Sequence, residues 1–213
     1  MNTEELVRLL AQNAEPVPAR DAVARVGVAT LAGMAVAAAL MVYVLGLNPR
    51  LGTEVALPTF WVKVLFAAGV GLVGLLAVGR LARPGGSLGA LRAALVLPLL
   101  AVWLLAAIAL FAAAPADRPA LVLGETWKVC AFNIAWLSVP VFVAIATAIK
   151  AFAPTRLRLA GAAAGFAAGG VGALVYSLHC PELGAPFIGV WYVLGVLVPT
   201  AIGALVGPRL LAW

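Results

Sequence analysis

The sequence predicts an all-α polytopic membrane protein, a six-transmembrane-helix bundle with N and C termini cytoplasmic. Three observations carry that expectation. Apolar residues make up 65% of the chain and charged residues only 10%, which excludes an ordinary soluble domain and a disordered chain. The apolar residues gather into long stretches near the roughly 20 residues that a helix needs to cross a hydrocarbon core about 30 Å thick. The basic residues gather on one side of those stretches, the side that faces the cytoplasm in membrane proteins. Long uninterrupted stretches also exclude an outer-membrane barrel, whose strands alternate every second residue.

Residues 1–25 form a polar tail. Thr3 is placed to cap a short helix, with Glu4 and Glu5 at its positive end. Leu6, Leu9 and Leu10, joined by Val7, then form an apolar stripe at helical spacing. Pro16 and Pro18 stiffen the connector to the membrane. A segment this short cannot bury a core of its own. It lies on lipid, packs under the bundle or docks on a partner. Its polarity, and the length of the apolar run that follows, argue against a cleavable signal peptide.

Residues 26–213 form the transmembrane domain. The expected spans are Val26–Leu47, Thr59–Gly79, Ala93–Ala114, Val129–Ile149, Leu159–Leu178 and Gly189–Val206. Asn48-Pro49-Arg50 ends the first, and Pro58-Thr59-Phe60-Trp61 opens the second, with Phe60 and Trp61 as interfacial anchors and Lys63 snorkelling back to the interface. Pro84-Gly85-Gly86 turns the chain towards span three. Pro98, Pro140 and Pro199 are expected to kink spans three, four and six. Gly161, Gly165 and Gly169 share one face of span five, and Gly203 and Gly207 one face of span six, where they permit close helix approach.

The net charge of +6 is topological and does not imply direct contact with nucleic acid. Arg8, Arg20, Arg25, Arg80, Arg83, Arg92, Lys150, Arg156, Arg158 and Arg209 fall on the side of the termini, against Arg50, Lys63, Arg118 and Lys128 on the other. That asymmetry predicts a multi-pass protein with both termini cytoplasmic.

Catalysis and proton-coupled transport in a membrane require ionisable groups at depth. No Asp or Glu falls within an expected span, and no hydrolase, nucleotide-binding or Cys-x-x-Cys motif is present. The chain is therefore not expected to be an enzyme or to carry a resident cofactor. What remains is a cluster on the outer side: Cys130 starts span four near Lys128, and Cys180 ends span five within His179-Cys180-Pro181-Glu182. Antiparallel spans put both sulfurs at one depth. Three readings stay open: a stapling disulfide, two inert buried thiols, or a responsive pair that oxidises or captures a soft metal transiently. In the last, Cys130 is the activated thiol, because it lies near a helix N-terminus and Lys128. His179 is a third metal ligand and Glu182 a weaker one. A small transporter of a metal or other solute, a membrane thiol oxidoreductase and a structural bundle are the rival functions.

The chain resembles the NrsF family of membrane-bound anti-sigma factors along essentially its whole length. The resemblance rests on Thr3-Glu4-Glu5-Leu6, Gly46-Leu47-Asn48-Pro49, Pro58-Thr59-Phe60-Trp61-Val62-Lys63, Arg80-Leu81-Ala82-Arg83-Pro84-Gly85, Trp127-Lys128-Val129-Cys130, Leu178-His179-Cys180-Pro181-Glu182 and the ending Gly207-Pro208-Arg209-Leu210-Leu211-Ala212-Trp213. It implies that the tail as a region holds an extracytoplasmic-function sigma factor inactive; within it, the helical spacing makes the Leu6, Leu9 and Leu10 face the part expected to seat on that partner. It also implies that Cys130 and Cys180 form the outer-side pair associated with release under heavy-metal or oxidising stress.

Overall fold

Six long helices and short connecting turns make up the computed structural model, which describes residues 2–5, 8 and 19–212. Leu6, Leu9 and Leu10 lie outside the described residues. In the tail, residues 3–5 and 8 are helical and the Glu5 amide donates to Asn2 O at 3.0 Å, so the first turn opens after Asn2, with Thr3 already inside it.

The long helices are α1 (Ala19–Leu40), α2 (Pro58–Leu81), α3 (Leu91–Ala112), α4 (Trp127–Lys150), α5 (Leu157–Tyr176) and α6 (Val193–Leu210). Their bounds follow the apolar stretches to within a few residues, save that α1 starts further into the tail. Two π-helical turns were not legible in the sequence: Met41–Leu45 extends α1, and Ile188–Tyr192 leads into α6. Pro98, Pro140 and Pro199 all sit inside helices. By length and composition all six segments can cross a membrane.

Composition decides which helix sits in the centre. α5 is almost entirely Gly and Ala on three sides, so neighbouring backbones can approach it from α2, α4 and α6. A methyl group on Gly161 would overlap Gly203 O, and one on Gly165 would overlap Pro199 O, so the glycine faces of α5 and α6 meet as the spacing predicts. On another side, a Cβ on Gly74 of α2 would lie 2.6 Å from Ala167 Cα. The result is that 83% of α5's apolar window lies inside the protein, against 11% for α3. α3 is a peripheral helix that holds on through Trp103, whose indole donates to Gly189 O at 2.8 Å. α1 packs along α4, where Gly33 lets the backbone of Pro140-Val141 come close.

The helix order brings the same ends together twice. The start of α2, the start of α4 and the connection after α5 meet at one end, the cysteine end. The start of α1 and the α2–α3 and α4–α5 connections meet at the other, where the Gly85 amide donates to Thr155 Oγ1 at 3.1 Å and the Arg25 guanidinium sits 5.5 Å from the Phe152 ring centre.

Candidate functional site: a thiol pair over a buried lysine

Cys130 lies in the first turn of α4, and Cys180 follows α5 in the connection to α6. Both are fully buried, and both thiols are free. They are neighbours, each close enough to bear on the other's ionisation. Thr126 Oγ1 lies 4.0 Å from Cys180 Sγ.

Beneath the pair is Lys63. The expectation that it snorkels to the interface is overturned, because its side chain is fully buried. Its ammonium donates to Cys180 O at 2.6 Å and to Glu182 O at 3.3 Å, and it pairs with Glu54 Oε2 at 4.0 Å. Three oxygens brought from distant loops replace the water that a snorkelling lysine would seek. Phe60 turns inward with it, its ring centre 5.1 Å from the ammonium, while Trp61 alone stays at the surface and donates to Val55 O at 3.0 Å.

Further hydrogen bonds lock the loops around this charge. Asn48 Nδ2 donates to Glu54 Oε2 at 2.8 Å, and the Asn48 amide donates to Leu178 O at 3.1 Å. Glu182 Oε1 accepts from the Glu125 amide at 2.7 Å and the Thr126 amide at 3.2 Å, fastening the chain that enters α4. Gly124 permits this. Its φ of 56° suits glycine, and a Cβ there would meet the Glu182 carboxylate at 2.7 Å.

Two tyrosines complete the surroundings, and nothing in the sequence had singled them out. Tyr176 lies against Asn133 and both thiols. Tyr192 is fully buried beside Cys180 and Ser177, and among the described residues its hydroxyl has no hydrogen-bond partner. A signal was available in retrospect: tyrosine within an otherwise aliphatic span asks for a polar neighbour.

The electrostatics favour Cys180 as the ionising sulfur. The neighbouring Cys130 thiol, the Glu182 backbone amide and the Lys63 charge lower its pKa to about 7 against the cost of burial. The Lys128 ammonium lies over the Trp127 ring, 5.7 Å from its centre. His179 does not turn its ring nitrogen Nδ1 to the sulfurs. That nitrogen is 2.9 Å from Gly46 O, as a donor, and the ring packs on Tyr176. Among the described residues no three His, Cys, Asp or Glu side chains form a group able to hold a metal ion. The geometry offers two sulfurs, with His179 and Glu182 each engaged elsewhere.

The family described as NrsF, negative regulator of sigma F, matches residues 10–213. The chain belongs to that family. A protein of Azospira oryzae named "Probable anti-sigma-F factor NrsF" is 50% identical over 213 residues, covering the whole of both chains. The "Anti-sigma-F factor NrsF" of Caulobacter vibrioides is 40% identical over 223 residues, again covering both completely. No solved structure matches this NrsF-family chain.

Proposed function

We propose that this chain is a membrane-embedded anti-sigma factor. Residues 1–25 hold an extracytoplasmic-function sigma factor inactive at the cytoplasmic face of a bacterial inner membrane, and the Cys130–Cys180 pair releases it under heavy-metal or oxidising stress. The observation that carries the reading is end-to-end identity of 50% with a relative bearing the name of an anti-sigma factor. The role is regulatory rather than catalytic.

The site supplies a chemistry for release. A two-electron oxidant takes both thiol protons and two electrons and leaves a sulfur–sulfur bond. A soft divalent cation instead displaces both protons and bridges the sulfurs. Either event alters the contact between α4 and the connection after α5. α1, which leads out of the tail, packs along α4, so a shift in α4 reaches the tail through one interface. A bias of about 1–3 kcal/mol between two packings is enough for a regulatory response.

Co-purification of the full-length chain from membranes with co-expressed extracytoplasmic-function sigma factors tests the first half. Retention of one of them, lost on joint substitution of Leu6, Leu9 and Leu10 by Asp, is expected; retention of none ends the anti-sigma reading. For the second half, Cys130→Ser and Cys180→Ser should blunt induction by cadmium or peroxide. An unchanged dose response removes the sensor role and leaves the anti-sigma role standing.

A further inference from the structure

α1 packs along α4, and α2 along α5, so the two diverge towards the basic end. Between them is a groove of about 440 Å³, within the roughly 300–1,000 Å³ of small-molecule sites. Its walls are apolar and open sideways: Val23 is 60% exposed, Leu72 61% and Leu76 51%.

Gly27 and Gly79 widen it from either side. A Cβ on Gly27 would meet no atom within 4 Å, and one on Gly79 only Val23 Cγ2 at 4.0 Å. Glycine inside a helix costs about 0.5–1 kcal/mol relative to alanine. On α5 that cost is offset by the neighbouring backbone; here no atom of the described residues uses the space. At the mouth stand Arg80 and Arg83, three residues apart on the last turn of α2 and beyond it, both exposed. Arg80 gives one N–H to Leu88 O at 3.0 Å, and among the described residues neither guanidinium pairs with a carboxylate.

An apolar trough that opens where lipid lies, and ends in two cations, fits an amphiphile with a hydrocarbon chain and an anionic head. Paired guanidinium groups match phosphate oxygens geometrically. We propose that the α1–α2 groove binds one anionic phospholipid, with an acyl chain running between Gly27 and Gly79 and the phosphate held by Arg80 and Arg83. The groove reaches Val23, about one turn from the start of α1, so the bound lipid touches the segment that emerges from the tail.

The test is native mass spectrometry of the full-length chain in detergent, titrated with phosphatidylglycerol or with phosphatidylcholine bearing the same acyl chains. One phosphatidylglycerol should be retained at least about tenfold better, since each arginine near an anionic lipid is worth roughly 1 kcal/mol. Arg80→Gln with Arg83→Gln should bring the two lipids to parity, with Arg83→Gln alone in between. Gly79→Leu, which has room for its side chain in the groove, should abolish retention of either. Arg158→Gln at the same end should leave the preference intact. A preference that survives the paired arginine substitutions, or that falls equally with Arg158→Gln, overturns the site. So does retention by Gly79→Leu, or a photocrosslinker at position 76 that captures residues 6–18 instead of lipid.

Discussion

The two ends of the bundle handle charge in opposite ways. At the cysteine end Lys63, Glu54 and Asn48 are buried and bonded to one another and to the backbone of two loops. At the basic end Arg83, Arg92, Lys150, Arg156, Arg158 and Arg209 are exposed. The first set ties loops together at the cost of desolvation, which its hydrogen bonds offset. The second set lies exposed at the surface, where its contacts are worth little individually. Lys63 is buried at the same end where Lys128 stays exposed, so a lysine's position near the start of a span does not reveal which it will be.

That contrast can be tested by mutation. The largest effect is expected from Lys63→Met, which strands Glu54 and two loop carbonyls: a loss of about 3–5 kcal/mol, read from thermal unfolding in detergent. A loss under about 1 kcal/mol would mean that Lys63 reaches water. Next, Glu182→Ala removes a charged acceptor from the Glu125 and Thr126 amides and should cost about 2 kcal/mol by the same measurement. Site-resolved alkylation of Cys180 should rise about tenfold from pH 6 to pH 8, because the reactive thiolate forms as pH passes the depressed pKa of about 7. A midpoint above pH 8.5 would show that the lysine and its neighbours do not activate this sulfur. At the other end, Arg158→Gln should change stability by less than about 0.5 kcal/mol.

Much of the fold is legible in the chain because it depends on local composition. The apolar stretches set the helices, and the four-residue glycine spacing marks the faces on which α5 and α6 meet. The two sulfurs could be placed at one depth by counting spans. The candidate site was legible only in part. Phe60 and Lys63 read as interfacial anchors because an aromatic and a lysine near the start of a span usually are. Their inward turn depends on carbonyls more than a hundred residues away. His179 read as a ligand by its neighbours in sequence, yet its partner is Gly46 O on the first connection. Tyr176 and Tyr192 offered only the weak signal of a hydroxyl within an aliphatic span, which does not say what it meets.

By itself, then, the sequence determined that six helices form, where they begin and end, and which carry small-residue faces, since helix formation in apolar surroundings is set by each segment's own backbone and side chains. Only the tertiary structure decided that α5 lies at the centre and that Lys63 sits beneath the thiols. It also decided that the Lys63 ammonium meets the Cys180 carbonyl and that a groove opens between α1 and α2. Those features depend on which groups from distant segments come within a few ångströms, and hydrogen bonding and Coulomb attraction act only once the chain has brought them there.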